Sequence, residues 1–207
     1  LVDIAKDVTA NKAEYEKKVP DKIERISGTI KETDIKKALE LINESQKPMI
    51  FVGGGAVISD AEKELKEFVY KLDAPVTDSL MGKGAFNGED KLYTGMLGMH
   101  GTKTANLSVT ECDLLVVVGA RFSDRVTGNT MKFAKNAKIL QLDIDPAEIN
   151  KNIITTNSVI GDIKEILTIL NNKLEQHDHA EWVSHVVERK AEFPLKYNKE
   201  ILTGPYI

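Results

Sequence analysis

The sequence Met49-Ile-Phe-Val-Gly-Gly-Gly55 joins a short, continuous apolar run to three glycines. An apolar run of this length, bounded by Pro48 and a glycine, is typical of a strand that is covered on both faces. The glycines predict a tight turn after the strand. The next residues predict a helix, because Ser59-Asp-Ala-Glu62 has the spacing of a capping box. The apolar face of that helix recurs at helical spacing and consists of Ala61, Leu65, Phe68 and Leu72.

A helix is also predicted before this unit. Apolar residues between Ile35 and Ile42 recur at helical spacing. Thr33 or Asp34 is the expected N-cap. The helix is expected to end before Pro48, because the residue that precedes a proline disfavours the helical conformation.

Further apolar segments follow the first strand and helix. They are typical of buried strands, and they span 75–78, 114–118, 138–144 and 158–160. A glycine-rich stretch up to Gly101 separates the first of them from the second, and Asp162-Ile-Lys-Glu165 is a capping box that opens another helix. Alternating apolar strands and helices predict an α/β protein. We expect a three-layer, Rossmann-like domain with five or six parallel strands and helices on both faces of the sheet.

The length of 207 residues suits one domain with flanking segments. Residues 1–33 contain Pro20 and Gly28 and lack a regular apolar period, so they predict an interdomain linker or arm. Residues 34–175 carry the α/β pattern. Residues 176–207 predict a C-terminal helix around Trp182 and a linker towards a further domain. Because the first residue is Leu1, the chain is interpreted as a piece of a larger protein.

The composition argues against several classes of protein. Its 42% hydrophobic and 29% charged residues are ordinary for a globular protein. No apolar run reaches the roughly 18 residues of a membrane span, and the first ten residues do not resemble a signal peptide, so we expect a cytoplasmic protein without a membrane partner. A net charge of −4 gives no reason to expect nucleic acid. Cys112 is the single cysteine, which excludes an internal disulfide and a cysteine-based zinc site.

Candidate ligand-binding residues are those that follow the strands, because ligands of an open parallel sheet gather beyond its carboxyl ends. Gly53, Gly54 and Gly55 let the backbone come close to a ligand. They nearly match the dinucleotide fingerprint, but Ile58 stands where the third glycine of G-x-G-x-x-G belongs. A tight turn between strand and helix is the alternative interpretation.

Two of the four arginines, Arg121 and Arg125, follow the most hydrophobic strand. A guanidinium is a permanently charged fork for phosphate or carboxylate, and its flat face can stack on a ring such as adenine. This pair therefore indicates ligand binding. A surface ion-pair cluster with Asp124 is the alternative.

Polar residues also follow the later strands. Asp143 ends a strand, at a place where a carboxylate typically accepts hydrogen bonds from ribose hydroxyls. Asp145-Pro146 is typical of the N-cap and first residue of a short helix. Gly161-Asp162 predicts a helix cap, and its glycine permits the close approach of a ring or a ribose.

The histidines do not indicate a catalytic set. His100 is the only histidine in the sheet region, and no further metal-binding residue stands at ligand spacing near it. His177 and His179 lie in a polar segment and are predicted to be solvated. The sequence also has no Ser-His-Asp set, no G-x-x-x-x-G-K-[ST] loop and no paired carboxylates. The residues alone thus indicate a nucleotide- or dinucleotide-binding domain without catalytic equipment and without a metal site.

Four segments together resemble the central domain of the catalytic subunit of acetohydroxyacid synthase, also called acetolactate synthase. They are Gly53-Gly-Gly55, Leu97-Gly-Met-His-Gly-Thr102, Val118-Gly-Ala-Arg-Phe-Ser-Asp-Arg-Val-Thr-Gly128 and Asp143-Ile-Asp-Pro-Ala-Glu-Ile-Asn-Lys151. The resemblance runs in order through residues 49–174, and residues 1–8 are similar to the exit from that family's N-terminal domain. Ser123 departs from the pattern, since the family usually has aspartate there.

The resemblance implies a thiamine-diphosphate enzyme with three α/β domains. Such enzymes condense two 2-ketoacids with loss of carbon dioxide in branched-chain amino-acid synthesis. Their central domain holds FAD, their C-terminal domain holds thiamine diphosphate and magnesium, and a partner subunit supplies a glutamate. The expected partners are the missing N- and C-terminal domains, a second copy or a tetramer, and a regulatory subunit. As a central domain, this chain is expected to bind FAD. Because Gly161-Asp162-Ile163 is not the family's G-D-G thiamine motif, it is expected to be inactive alone.

The resemblance also implies positions for the FAD. Its phosphates and ribose would lie beside Gly53, Gly54, Gly55, Gly119, Ala120 and Arg121. Its adenosine part would lie beside Asp143, Ile144, Gly161 and Asp162. Its flavin side would lie along Ser79, Leu80, Met81, Leu97, Gly98, Met99 and His100, with Val126 in the same cofactor-binding set. Arg125, also counted in that set, matches the arginine that approaches the carboxylate of the second ketoacid, and Met99 would line the same region.

Two other interpretations remain open from the sequence. One is the central domain of a different thiamine-diphosphate enzyme, of the glyoxylate carboligase or pyruvate oxidase type. The other is a nucleotide-binding regulatory or scaffold module, because a shared fold does not determine function.

Overall fold

The computed structural model describes residues 3–14, 16–17, 30–196, 198 and 200–201. Its centre is a sheet of six parallel strands in the order β3-β2-β1-β4-β5-β6. The strands are β1 (Pro48–Val52), β2 (Val76–Asp78), β3 (Tyr93–Met96), β4 (Leu114–Val118), β5 (Lys138–Asp143) and β6 (Asn157–Ile160). The predicted α/β class and parallel sheet are confirmed.

Helices cover both faces of the sheet. They belong to the set α2 (Glu32–Glu44), α3 (Gly54–Ile58), α4 (Glu62–Leu72), α5 (Lys103–Glu111), α6 (Asp124–Thr127), α7 (Ile163–Lys173) and α8 (Ala180–Glu192). The first helix, α1 (Lys6–Ala10), has no buried residue. Alternate side chains of β1 enter opposite cores, as the two-residue period of a strand requires. Ile50 and Val52 pack with α2, α4 and α7, whereas Met49 and Phe51 pack with α5 and α8.

The strand order reverses direction beside β1. From β1 the chain runs outward through β2 and β3, then returns to β4 on the other side of β1. The chain segments that follow β1 and β4 therefore lead to opposite faces of the sheet, and a crevice lies at its carboxyl edge where they diverge. The crevice lies where Gly53 and Gly55 donate backbone hydrogen bonds to Val118 O and Gly119 O, both at 2.9 Å.

Strand β3 was not among the segments predicted individually, although the count of five or six allowed for it. It lies inside the glycine-rich stretch, and of its four residues only Thr94 is buried. Gly95 adopts a φ of +96°, and its pairing with β2 is irregular. An edge strand of this kind has no apolar run, so hydrophobic patterning alone misses it.

Two of the predicted N-caps are wrong. Helix α2 begins two or three residues earlier than expected, with Lys31 as N-cap, and Thr33 Oγ1 instead donates a hydrogen bond to Asp34 Oδ1. Ser59 does not cap α4, because the short helix α3 ends on it with helical dihedrals. Asp60 then turns the chain with a φ of +54°, and Ala61 is the N-cap of α4 without a side-chain bond.

The caps predicted at two later positions are confirmed. Asp162 accepts hydrogen bonds from the backbone of Lys164 and Glu165 and opens α7. Asp145 accepts from the backbone of Ala147 and opens the 3₁₀ turn Pro146–Glu148. In both cases a carboxylate satisfies amides that the first helical turn leaves free.

The predicted arm and the C-terminal segment are described in part. Within 1–33, the structure shows the exposed helix α1, while Pro20 and Gly28 lie outside the described residues. Helix α8 forms where a helix was expected around Trp182. It lies against α5 and β3, and the Trp182 indole is buried.

The prediction that His179 is solvated is wrong. Its side chain is buried at the amino-terminal edge of the sheet. The polar segment before α8 folds back over the end of α4, where the backbone amide of His177 bonds Lys71 O at 2.8 Å. This path places the His179 ring between two carbonyls, with Nδ1 2.7 Å from Leu72 O and Nε2 3.2 Å from Ser45 O.

Candidate functional site

A cavity of about 710 Å³ opens at the carboxyl edge of the sheet, on both sides of the reversal in strand order. Its volume lies in the range of about 300–1,000 Å³ that is usual for small-molecule sites. The loops after five of the strands contribute to it. The predicted site residues that line it are Gly54, Gly55, Ser79, Leu80, Met81, Leu97, His100, Gly119, Ala120, Arg121, Arg125, Val126 and Asp143.

The glycines allow the loops after β1 and β4 to pack against each other. A Cβ atom on Gly53 would lie 2.3 Å from Gly119 O, and one on Gly55 would lie 2.8 Å from Gly119 Cα. Gly119 itself has a φ of +58°, a conformation that side chains disfavour. The tight-turn interpretation of Gly53 and Gly55 is therefore supported. Gly54 and Gly55 still border the cavity, so the same turn forms its floor.

Arg121 lies in the loop after β4 and Arg125 in the short helix α6, and both are exposed and line the cavity. Neither guanidinium forms an ion pair with Asp124 in the part of the chain that the structure describes. Asp124 instead accepts a hydrogen bond from the backbone amide of Arg125 at 2.9 Å. The Arg125 side chain extends towards Met99, with Nη1 3.7 Å from the sulfur. Two permanent charges thus remain available to an anionic ligand.

Asp143 ends β5 and lines the cavity on the side away from the loop after β2. Its residue is 7% exposed, and burial raises the pKa of its carboxyl group. One carboxylate oxygen accepts a hydrogen bond from the backbone amide of Asp145 at 3.0 Å. The group is an acceptor at the end of a strand, as a ribose site requires.

Apolar side chains line the other side of the cavity. Ser79 caps the 3₁₀ turn Leu80–Gly82 by accepting a hydrogen bond from Gly82 N. This turn presents Leu80 and Met81 with 69% and 75% of their surfaces exposed. Large apolar side chains that are exposed around a concave site commonly contact a ligand or another protein surface.

Gly161 is placed near Asp143 but is not open to a ligand. Its amide bonds Asp143 O at 3.0 Å. A Cβ atom on Gly161 would lie 2.6 Å from Cγ1 of Ile30, so the close approach that this glycine permits is made by a side chain of the same protein. Asp162 is occupied as the cap of α7.

A family model described as "Thiamine pyrophosphate enzyme, central domain" matches residues 35–170. The chain belongs to this family. The resemblance of the four sequence segments to a central domain of a thiamine-diphosphate enzyme is thereby confirmed.

Curated relatives of this central-domain chain are acetolactate synthase large subunits. The protein of Porphyra purpurea is 40% identical over 210 residues, which cover 97% of this chain and 36% of the relative. The probable large subunit of Methanocaldococcus jannaschii is 44% identical over 91% of the chain and 33% of the relative. Isozyme 2 of Escherichia coli K12 is 39% identical over 96% of the chain and 35% of the relative. The chain thus spans about a third of the length of these relatives.

Some predicted site residues of the central domain do not line the cavity. They are Gly53, Gly98, Met99, Ile144, Gly161 and Asp162. Gly98 holds neighbouring loops together, since a Cβ atom there would lie 2.4 Å from Arg125 O. The Met99 amide bonds the same carbonyl at 2.9 Å, and its side chain is 63% exposed. Met99 therefore lies against Arg125 at the mouth of the cavity, outside the residues that line it.

The cavity of the central domain also has lining residues that the sequence did not single out for binding. They are Ile58, Met96, Ser123, Asp145 and Glu148. Asp145 and Glu148 belong to the loop after β5, so the strand-end rule could have included them. Met96 could not be found in this way, because its strand was not recognised.

No metal-binding cluster is present within the described ranges, where no group of three or more His, Cys, Asp or Glu side chains could hold an ion. Cys112 is buried, and burial raises the pKa of its thiol to about 12. It therefore does not supply a thiolate at neutral pH. None of the described helices is long and apolar enough to cross a membrane.

Proposed function

We propose that this chain is the FAD-binding middle part of an acetolactate synthase large subunit. The observation that carries the proposal is the carboxyl-edge cavity, which combines two guanidiniums that form no ion pair with the described residues, a buried strand-end carboxylate and exposed apolar side chains. The similarity to large subunits over nearly the whole chain supports the same assignment.

The residues of the cavity fit FAD. The diphosphate requires positive charge, which Arg121 supplies beside the close-packed glycine turns. A ribose requires hydrogen-bond acceptors, and Asp143 offers one. The flavin requires a flat apolar surface, which Leu80, Met81 and Leu97 provide. In the family that the chain resembles, bound FAD undergoes no net redox change in the overall reaction.

Arg125 has a different position from Arg121, because its guanidinium reaches Met99 at the mouth of the cavity. We assign it to the carboxylate of the second ketoacid, which a planar charged fork can bind through two hydrogen bonds. Met99 would line the same substrate region.

The activity of the whole enzyme needs the parts of the large subunit that this chain does not span. In our proposal those parts hold thiamine diphosphate and magnesium, and the complete protein condenses two 2-ketoacids with loss of carbon dioxide. It would act in the cytoplasm as a homodimer or homotetramer with a regulatory subunit.

Titration of the chain with FAD, FMN and ADP, followed by flavin fluorescence and calorimetry, tests the cofactor assignment. We expect FAD to bind more tightly than FMN or ADP, each of which contains only a part of FAD, because only FAD reaches both Asp143 and the apolar wall. Equal affinity for ADP and FAD would instead indicate a nucleotide-binding module. Absence of FAD binding at high micromolar concentration would contradict the proposal.

A pyruvate-dependent acetolactate assay tests whether the chain alone lacks the activity of the whole enzyme. With thiamine diphosphate, magnesium and FAD supplied, we expect no turnover by the chain alone. Measurable turnover would show that the thiamine site lies within these 207 residues.

A further inference from the structure

A polar network lies directly behind the apolar wall of the cavity. Asp78 is the last residue of β2 and Tyr93 is the first residue of β3. The Tyr93 hydroxyl donates a hydrogen bond to Asp78 Oδ2 at 2.8 Å. Lys83, which follows the 3₁₀ turn, donates from Nζ to the Tyr93 hydroxyl at 3.2 Å and lies 3.6 Å from Asp78 Oδ1. We call these three residues the Asp78–Tyr93–Lys83 network.

The network places the buried carboxylate of Asp78 next to the segment 79–82, which joins β2 to Lys83. The Asp78 side chain is only 6% exposed, and its Oδ1 has no hydrogen-bond partner among the described residues. A buried carboxylate without a nearby cation is strongly unfavourable. The Lys83 ammonium supplies that cation, and it also lies 5.9 Å from the centre of the Tyr93 ring, within the range of a cation–π contact.

The protonation states of the network agree with this arrangement. Burial is the main reason that the pKa of Tyr93 is raised, so its hydroxyl keeps the proton that it donates. Burial lowers the pKa of Lys83, but the hydrogen bond to Tyr93 and the charge of Asp78 outweigh it and leave the pKa raised. Lys83 is therefore charged throughout the neutral range.

The position of the segment 79–82 affects the cavity, because the segment packs tightly against the end of β1. Asp78 and Lys83 stand immediately before and after the segment 79–82. Within it, a Cβ atom on Gly82 would lie 2.3 Å from Val52 O. On the cavity side, Met81 Cβ would be only 3.1 Å from a Cβ atom on Gly54. A shift of the segment would move Leu80 and Met81 relative to the glycine turn.

We propose that Asp78, Tyr93 and Lys83 are positioning residues, which hold the segment 79–82 so that Leu80 and Met81 form the flavin-facing wall of the cavity. The inference rests on the proposed FAD binding for its ligand, but the hold on the loop is a property of this chain alone. Lys83 and Tyr93 contact the loop and strand and act on the ligand only through Leu80 and Met81.

The test compares Lys83→Gln with Lys91→Gln. Lys91 is exposed, lies in the same part of the chain and loses the same charge. We expect Lys83→Gln to weaken FAD binding about five- to tenfold. The reason is that the half-exposed Lys83 ammonium no longer donates a hydrogen bond to Tyr93 or lies beside Asp78. Lys91→Gln should leave the affinity unchanged. Lys83→Arg should restore most of the affinity, and Tyr93→Phe should weaken binding at least as much as Lys83→Gln.

A second readout does not depend on FAD. Hydrogen exchange of the backbone amides of residues 79–82, measured without ligand, should be faster in Lys83→Gln than in Lys91→Gln. A shifted flavin absorbance spectrum in bound Lys83→Gln is expected for the same reason. A purely structural role would lower the melting temperature without changing that spectrum.

The outcomes are distinct. Unchanged loop exchange in Lys83→Gln, or an FAD affinity equal to that of Lys91→Gln, would overturn the positioning role while leaving the proposed function intact. If the unmodified chain does not bind FAD, the proposed function fails. In that case, faster hydrogen exchange at residues 79–82 in Lys83→Gln would show only that Lys83 stabilises this segment. The proposed role in positioning the flavin-facing wall would be overturned together with the proposed function.

Discussion

The two edges of the same sheet are built differently. At the amino-terminal edge, buried polar groups meet partners within the chain. The Trp182 indole donates to Pro48 O at 2.9 Å, and both His179 ring nitrogens lie at hydrogen-bond distance from carbonyls. The Asp113 carboxylate accepts from Ser45 Oγ and from the backbone amide of Gln46.

At the carboxyl edge, charged and apolar groups are left towards the cavity. Arg121 lines it without an ion pair in the described part of the chain, and Met81 and Met99 are largely exposed. Exposed side chains without partners in the chain contribute little to the free energy of unfolding, but they can contribute to the affinity for a ligand. The amino-terminal edge therefore contributes to the stability of the domain, whereas the groups at the carboxyl edge are available to bind a ligand.

The largest effect is expected at the amino-terminal edge, from Trp182→Ala. The side chain is buried, so its removal should lower the free energy of unfolding by about 3–5 kcal/mol. Urea unfolding measures this loss. Trp182→Phe, which has a smaller aromatic ring and lacks the hydrogen bond, should cost only about 1 kcal/mol beyond its packing change. FAD affinity, measured where the variant is folded, should be unaltered, and a parallel loss would show that the edges are coupled.

Gly119→Ala should destabilise the carboxyl edge itself. The added Cβ would meet Gly55 Cα at 2.7 Å, and the backbone has a positive φ. We expect a loss of about 3 kcal/mol in thermal or urea unfolding. Gly84→Ala is the control, because Gly84 also has a positive φ but faces open space. Equal losses in the two variants would mean that backbone conformation, rather than loop packing, requires Gly119.

In contrast to Gly119→Ala, Arg121→Gln should affect FAD binding more than stability. Loss of a charged partner for the phosphates should weaken FAD binding about tenfold. Unfolding should change by less than about 0.5 kcal/mol, as is usual for an exposed side chain. Lys66→Gln on the exposed surface of α4 controls for net charge, and an equal loss of affinity there would indicate a long-range charge effect.

Asp143→Asn should have the smallest effect. Burial raises the pKa of Asp143, so the folded chain holds this proton more tightly than the unfolded chain. The carboxyl group therefore contributes stability while it is protonated, and loses that contribution as the pH rises through the raised pKa. Asparagine still accepts from the Asp145 amide, so the variant should be slightly more stable at pH 7 and bind FAD about threefold more weakly.

A pH series distinguishes these two consequences. The difference in unfolding free energy between the variant and the original chain should shrink as the pH falls below the raised pKa of Asp143. A difference that grows on acidification would show that the ionised carboxylate is stabilised in the folded state.

Much of the fold followed from local patterns. The buried strands β1 and β4 are continuous apolar runs, and β5 is mostly apolar. Asp145 and Asp162 are caps whose amide partners lie within three residues. The strand-end rule also found most of the cavity, because parallel strands bring their carboxyl ends to one edge whatever their order. Ser59 shows the limit of such patterns, since a capping box cannot reveal that a preceding short helix ends on the same residue.

The sequence by itself determined which segments are buried, where the glycine turn stands and which arginines follow the central strand. Only the tertiary structure decided that Ile30 occupies the space at Gly161, that His179 is enclosed by two helix ends, and that Tyr93 joins Asp78 to Lys83. The physical reason is range. Periodicity and caps report interactions within a few residues, whereas these contacts join segments that become neighbours only when the sheet assembles.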